Sequence, residues 1–402
     1  MTTTRLYYPE AYRASFDAHV LACEPLEAPP ATPAAYAVEL DATAFYPSSG
    51  GQPFDTGTLG SARVLDVLDN EDGRILHVTD APLAVGEVVS GAIDWSRRFD
   101  HMQQHTGQHV LSAAFEGLFA NRTQSFHLGA EQCTIDLARE VTAADVRAAT
   151  DEANRVVWED RAVTVRFVSA EEAAVLPLRK EPARGGMLRL IEIADFDLSA
   201  CGGTHVARTG GIGIIAVSGW EMFRGGSRVQ FLCGARVARR FSVWRDALAA
   251  TMKHLSVAAE ELAPAIERLQ GGNKALQRAL RATQEKLAVH EAKALVARGV
   301  RIGQRIVVVE SVADMDGAGL KAMASAAATE PGAAVVLVTA TTSPLVVVAR
   351  HPDAGIDASA VLKALVAQFG GRGGGQPDLA QGGGLNASSQ AVVDAARNML
   401  SQ

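Results

Sequence analysis

His105-Thr106-Gly107-Gln108-His109 and, about ninety residues later, Cys201-Gly202-Gly203-Thr204-His205 are the two stretches around which this chain is organised. A four-residue step on a helix places two side chains on one face a turn apart, so His105 and His109 can aim ring nitrogens at one atom. The second stretch repeats that spacing with a Cys and a His, and its paired glycines predict a tight loop. Three imidazoles and one thiolate form a borderline-soft donor set that suits Zn2+. Each half alone has a plainer reading, a solvated histidine pair or a small buried thiol. Both together, in a chain with ten His and four Cys, point to a metal held by His105, His109, Cys201 and His205.

Outward from the first stretch, Arg97 to Phe119 reads as one helix with Phe99, Met102, Val110, Ala113, Ala114 and Leu118 on its apolar side. Gly107 weakens such a helix by roughly 1 kcal/mol relative to Ala, a cost that a crowded substrate site explains. No Glu stands beside the first His as in HExxH zinc peptidases, so that class is disfavoured. Ser125 to Gly129 and Cys133 to Leu137 read as paired strands. His127, on the first, is a further active-site candidate, with a core or surface histidine as the competing reading. Thr142 to Asp145 resembles a capping box opening a helix to about Glu159. Strands at Val163–Val168 and Leu188–Ile193 follow, the second leading directly into the Cys201 loop.

Upstream, from about Tyr36 to Trp95, short alternating runs broken by Gly, Pro and Asp predict a small antiparallel barrel or sheet. Within it, Thr43 to Gly57 (TAFYPSSGGQPFDTG) combines Gly50-Gly51 with the polar residues Thr43, Gln52 and Asp55. Close approach to a ligand and a polar hairpin turn are both consistent with that spacing. Downstream, Leu262, Ile266, Leu269, Asn273, Leu276, Leu280, Thr283, Leu287, His290 and Ala294 follow a heptad seam, which Gly271-Gly272 is expected to interrupt as a hairpin or kink. Packing within one subunit and homodimerisation through these helices or the C-terminal domain both stay open. After Gly299, apolar runs alternate with Ala-rich helices, the pattern of an α/β layer domain. Its Gly-rich stretch at 370–384 reads as a loop whose backbone N–H groups can hold phosphate, with Arg372 beside Gly373, Gly374 and Gly375. A structural glycine turn is the alternative.

The totals bound the class. A chain of 402 residues implies two or three domains. No run approaches the roughly 18 apolar residues of a membrane span, and Met1-Thr2-Thr3-Thr4-Arg5 does not begin a signal peptide, so a soluble, cytoplasmic protein is expected. Four scattered cysteines form no disulfide scaffold. The net charge of −7 argues against indiscriminate nucleic-acid binding. Residues 241–300, however, carry nine basic and six acidic side chains, so contact with a polyanion is expected to be local, through residues such as Arg278 and Arg281.

With FYPSSGGQPFDTG (45–57), HTGQH (105–109) and CGGTHV (201–206) in that order, the chain resembles the editing domain of alanyl-tRNA synthetase. Gly370 to Gly384 resembles the DHH-associated C-terminal domain of the same synthetase. Only some forty residues precede the first expected barrel strands, too few for a class II activation domain, so the resemblance is to the long form of the free-standing AlaX editing proteins. It implies an α+β fold: a small N-terminal β-barrel (1–95), a zinc-binding α/β-type editing core (96–240), a helical connector (241–300) and a C-terminal α/β DHH-associated domain (301–402). It also implies zinc-dependent hydrolysis in trans of tRNA(Ala) carrying serine or glycine, errors that a site shaped for alanine cannot strongly reject. The family places a Thr at Thr43 to sense the serine hydroxyl, and Gln52 is a second polar candidate. Four protein ligands describe a closed structural zinc site, whereas catalytic sites usually keep a position open. A non-catalytic tRNA- or synthetase-binding regulator with a structural zinc is therefore the rival expectation. A phosphoesterase is disfavoured because no Asp-His-His motif occurs.

Overall fold

The structure is a computed structural model that describes residues 2–26, 34–70, 72–179 and 186–401. It divides into two compact units, Met1–Ala250 and Thr251–Gln402. The first opens with β1 (Thr4–Arg5), β2 (Ser15–Leu26), β3 (Ala35–Leu40), β4 (Ala42–Thr43), β5 (Gly57–Leu59), β6 (Ala62–Asp69), β7 (Ile75–Thr79) and β8 (Val88–Ile93). Six of these close into a barrel in the order β2-β3-β7-β6-β5-β8. Strand periodicity drives the closure: in β2, Phe16, Ala18 and Val20 are buried while Ser15, Asp17 and His19 are exposed. The barrel thus starts at Ser15 rather than near Tyr36, because β2 alternates as regularly as the later strands.

The helix α1 (Trp95–Phe119) follows, with Asp94 accepting a hydrogen bond from the Arg97 N–H as its N-cap. It has no single apolar stripe, since it is buried continuously from His101 to Phe115, while Leu118 is exposed. The remaining elements are β9 (Thr123–Leu128), β10 (Cys133–Leu137), α2 (Ala143–Trp158), β11 (Val163–Val168), α3 (Ala170–Ala174), β12 (Leu188–Ile193), β13 (Asp197–Ala200), β14 (Ile215–Phe223), β15 (Gly226–Cys233) and α4 (Ala235–Leu255). The α2 capping box between Thr142 and Asp145 is present. Two sheets form, β14-β15-β10-β9 and β11-β12-β13. Met102, Val110, Leu111 and Phe115 of α1 share one core with Ile135, Val157, Val229 and Phe231.

Two expectations for this unit change. Strand β12 does not lead directly to Cys201; it turns back through antiparallel β13, whose end delivers the cysteine. Gly107 is required by the sheet rather than by a substrate, because a Cβ there would lie 2.2 Å from Cys233 Sγ on β15.

The second unit contains α5 (Leu262–Arg298), β16 (Val300–Ile302), β17 (Arg305–Val312), α6 (Gly317–Ala327), β18 (Ala333–Thr339), β19 (Val346–Arg350), α7 (Ala358–Phe369), β20 (Arg372–Gly375), β21 (Leu379–Gly383) and α8 (Ser389–Leu400). The sheet order is β16-β17-β18-β19-β21-β20, with β17 and β18 parallel. Ile306 and Val308 of β17 face Ala292, Leu295, Leu320 and Met323, whereas Val307 and Val309 face Leu362, Leu365, Val392 and Leu400. Alternate residues of one strand therefore feed two cores, which explains its unbroken apolar run. Gly271-Gly272 does not break α5, which runs continuously for 37 residues. Neither glycine meets a neighbour that would force a bend. The heptad seam is not the packed face either: Leu269, Leu276 and Leu280 are 63%, 71% and 60% exposed, and Ala288, Ala292 and Leu295 are buried instead. The Gly-rich segment is an edge hairpin, β20 paired with β21, rather than a loop. Among the described residues no helix is long and apolar enough to cross a membrane.

Candidate metal centre and active site

His105 and His109 come from α1, and Cys201 and His205 from the loop after β13; their ligand atoms all lie within 4.8 Å of one another. Cys201 Sγ stands 3.4 Å from His105 Nε2 and 3.4 Å from His205 Nε2. Tetrahedral bonds of about 2.0 Å to nitrogen and 2.3 Å to sulfur place donor atoms roughly 3.3–3.6 Å apart, so this set fits a metal ion with little movement. Gly203 is needed for the approach: a Cβ there would lie 2.1 Å from His105 Cε1.

What aims the three imidazoles is the other nitrogen of each ring. His105 Nδ1 lies 2.9 Å from Gln52 Oε1, which also accepts from the Thr204 N–H, while Gln52 Nε2 donates to Thr204 Oγ1 at 2.8 Å. His109 Nδ1 lies 3.0 Å from Asp197 Oδ2. His205 Nδ1 lies 3.2 Å from Thr106 Oγ1, whose proton is donated to the Met102 carbonyl at 2.8 Å. All three partners therefore accept, each Nδ1 carries its ring's proton, and the three Nε2 lone pairs are left for the metal position. Asp197 is itself held by Arg179 at 2.5 Å and by the Ser199 hydroxyl at 3.1 Å.

In the absence of a metal the same groups set one another's protonation. Burial alone would push the Cys201 thiol up, yet the neighbouring His105 and His205 hold it well below its ordinary range, which favours a thiolate. Burial together with His105 pushes His205 down to about 3. Burial opposes ionisation of Asp197 as well, but hydrogen bonding and charge from His109 and Arg179 hold its carboxyl well below the usual carboxylate range.

The loop bearing Gln52 is pinned to α1. Ser49 to Gln52 close a two-residue hairpin with Gly50 and Gly51 at φ 55° and 81°, as a type I′ turn requires. Farther along, Asp55 pairs with fully buried Arg98 of α1, which also donates to the carbonyls of Ala11 and Ala44. The stretch is thus a polar hairpin turn that delivers Gln52, and its Gly50 also borders the cavity beside the cluster. Arg189 closes the opposite side by donating to the carbonyls of Cys201 and Gly203 at 2.7 and 2.9 Å.

A cavity of about 170 Å3 opens beside the cluster, with Gln108, His109, Phe126, Arg179 and Cys201 in its wall. It is smaller than the roughly 300–1,000 Å3 of drug-sized pockets, which suits a small acyl group. Thr43, His127 and the residues assigned to tRNA stand apart from it. Thr43 is fully buried in the barrel, its Oγ1 2.8 Å from His77 Nε2 and accepting from the Phe45 N–H at 3.1 Å. His77 Nδ1 lies 3.1 Å from the Val38 carbonyl, so Nδ1 carries the proton, Thr43 donates to Nε2, and one Thr43 lone pair is left over. His127 is exposed on β9, and it is its neighbour Phe126 whose ring meets His105, at 5.8 Å between centroids. Successive strand residues point to opposite faces, so Phe126 faces the cluster and His127 the exposed side of β9. Arg278 and Arg281 are exposed on α5, the latter paired with Glu285 at 3.2 Å. Arg372 and Gly373 border a groove of about 360 Å3 in the second unit, and Gly374 and Gly375 are exposed on β20.

Asp197, Thr106 and Gln108 went unnoticed in the sequence. The only signal for Asp197 was its spacing: Asp197, Ser199 and Cys201 alternate toward one side.

Comparisons place this architecture among tRNA synthetase-related proteins. Residues 188–230 match the threonyl and alanyl tRNA synthetase second additional domain, and residues 304–402 match the DHHA1 domain. The chain is 32% identical over 298 residues to the alanyl-tRNA editing protein Aarsd1 of Rattus norvegicus, covering 71% of this chain and 72% of that protein. It is 34% identical over 417 residues to an alanine–tRNA ligase of Natronomonas pharaonis, covering 99% of this chain and 44% of the ligase. A ligase of Pyrococcus abyssi is 30% identical over 406 residues, covering 94% and 42%. The chain thus spans less than half the length of the ligases it matches. It belongs to the alanyl-tRNA editing protein family, and it shares domains with alanine–tRNA ligases.

Proposed function

We propose that this chain hydrolyses the ester of Ser-tRNA(Ala), with Gly-tRNA(Ala) as a second substrate, and so removes mischarged amino acids. The observation that carries this reading is the convergence of three Nε2 lone pairs and a thiolate beside a cavity sized for an acyl group. We take the metal to be zinc, which when bound supplies Lewis-acid polarisation at the scissile ester. Around it, Gln52, Asp197 and Thr106 hold the ligating rings, Arg189 keeps the Cys201 loop closed, and Phe126 covers the His105 side. Thr43 lies outside the cavity, and its assignment to sensing the serine hydroxyl through its free lone pair rests on the family resemblance alone. Arg278, Arg281, Arg372 and the backbone of Gly373 to Gly375 are assigned to the tRNA backbone. The exposed leucines of α5 offer a surface for a second copy, which sedimentation would detect.

The four-ligand count favours a second reading, a tRNA- or synthetase-binding regulator in which the metal only holds the fold. Deacylation of Ser-, Gly- and Ala-tRNA(Ala) by the native chain and by Cys201→Ala separates the two. The hydrolase releases serine and loses this activity in the variant, while a binder protects the ester.

A further inference from the structure

We propose that the side-chain amide of Gln108 accepts a hydrogen bond from the free α-ammonium group of the substrate, so that the site reads an unblocked amino acid. This deepens the ester-hydrolase reading and rests on it. Gln108 precedes His109 on α1, is 3% exposed and lines the cavity that His109 and Cys201 also border. Its Nε2 donates to Ser112 Oγ at 2.8 Å, and that oxygen lies 2.8 Å from Thr123 Oγ1 as well. Its Oε1, although buried, has no hydrogen-bond partner among the described residues.

Buried side-chain acceptors without a partner are uncommon, and one on a cavity wall is available to whatever enters. Several other polar groups around this cavity are already engaged: Arg179 and Ser199 hold Asp197, and Arg122 pairs with Glu116 at 3.1 Å. Because each of these cations faces a carboxylate, hydrogen bonding rather than net charge sorts the ligands. An aminoacyl ester carries its ammonium one carbon from the carbonyl, which makes it the donor nearest the reacting centre. The residue beside His109 is thus well placed to meet it, and an acylated amine would bring bulk, two fewer N–H groups and no positive charge to the same atom.

The test uses full-length chain with tRNA(Ala) bearing either serine or 3-hydroxypropanoate, the deamino analogue. Native protein should hydrolyse the deamino ester about 10- to 100-fold less efficiently in kcat/KM, as expected for loss of one charge-assisted hydrogen bond. Gln108→Met should lower seryl hydrolysis by a similar factor, mainly through KM, with little further loss on the deamino ester. Gln108→Glu, which keeps the acceptor, should retain most seryl activity. Equal losses on both esters for Gln108→Met would reduce Gln108 to a packing residue. Failure of Gln108→Glu alongside Gln108→Met, with metal content unchanged, would show that the amide N–H is the working end. Should native protein leave Ser-tRNA(Ala) intact, the hydrolase reading falls on its own. Affinities of native and Gln108→Met protein for the two esters then decide the ammonium contact, which is overturned if the variant discriminates between them as well as native protein does.

Discussion

Replacing Asp197 by Asn tests whether the ring protons, and not only the four donor atoms, define the metal centre. The carboxylate takes the His109 Nδ1–H at 3.0 Å, Arg179 at 2.5 and 3.2 Å and the Ser199 hydroxyl at 3.1 Å, so its lone pairs are fully used. An asparagine amide of the same shape can accept through one atom only. If its oxygen faces Arg179, its NH2 faces His109 and stabilises the tautomer whose Nε2 carries the proton, which removes one ligand. If its oxygen faces His109, Arg179 is left half-buried against an amide NH2. Losing such an outer partner typically costs 10- to 100-fold in metal affinity, about 1.4–2.7 kcal/mol. Competition with a chromogenic zinc chelator measures this directly, with Ser-tRNA(Ala) deacylation at saturating zinc as the second readout. The expected outcome is weaker zinc binding, with deacylation partly restored by excess metal. An Asp197→Asn protein whose zinc affinity stays within twofold of native would refute the argument that Nδ1 contacts aim the ligands.

Thr43→Val should erase most of the preference for Ser-tRNA(Ala) over Ala-tRNA(Ala) while leaving zinc content unchanged; an unaltered preference removes Thr43 from recognition. Replacing Arg278, Arg281 and Arg372 together by Gln should weaken tRNA binding and lower the slope of log affinity against log salt by up to about 2 to 3, which filter binding between 50 and 200 mM salt would report. Burial holds His77 down to about 4, against an ordinary value near 6.5. Between those values the unfolded chain binds a proton that the folded chain does not, so stability from this group is full above about pH 6.5 and is lost as pH falls toward 4. The loss amounts to roughly 3 kcal/mol at most. A thermal melt series should show His77→Phe to be less acid-sensitive than native, and parallel curves would count against that account.

Legibility in the sequence followed the strength of the local constraint. Alternation located the paired strands β9 and β10, and the Thr142 capping box marked the start of α2, because both rest on contacts within a few residues. The α5 heptads do not pack within one subunit, since leucines at a coiled-coil spacing say that a stripe exists but not what covers it. Gly271-Gly272 misled for a related reason: glycine lowers helix propensity by about 1 kcal/mol per residue, too little to stop a long helix that nothing bends.

The metal centre shows the same division at finer scale. Ligand identity is demanding chemistry, since only a few side chains offer a soft nitrogen or sulfur donor, and so two short motifs named the four residues that the fold brings together as a group that could hold a metal. The outer contacts demand only that something accept a proton from Nδ1. This chain meets that demand three different ways, with an amide oxygen from Gln52, a carboxylate from Asp197 and a hydroxyl from Thr106. Those residues lie on a hairpin turn, a strand and a helix, so no spacing rule could have joined them. Their equivalence is one of hydrogen-bond polarity, which appears only once the backbone has brought each acceptor to the far side of its ring. Function at such a centre is therefore exposed to substitutions that leave every ligand in place, and Asp197, where a change of one atom reverses an acceptor into a donor, is where that exposure is greatest.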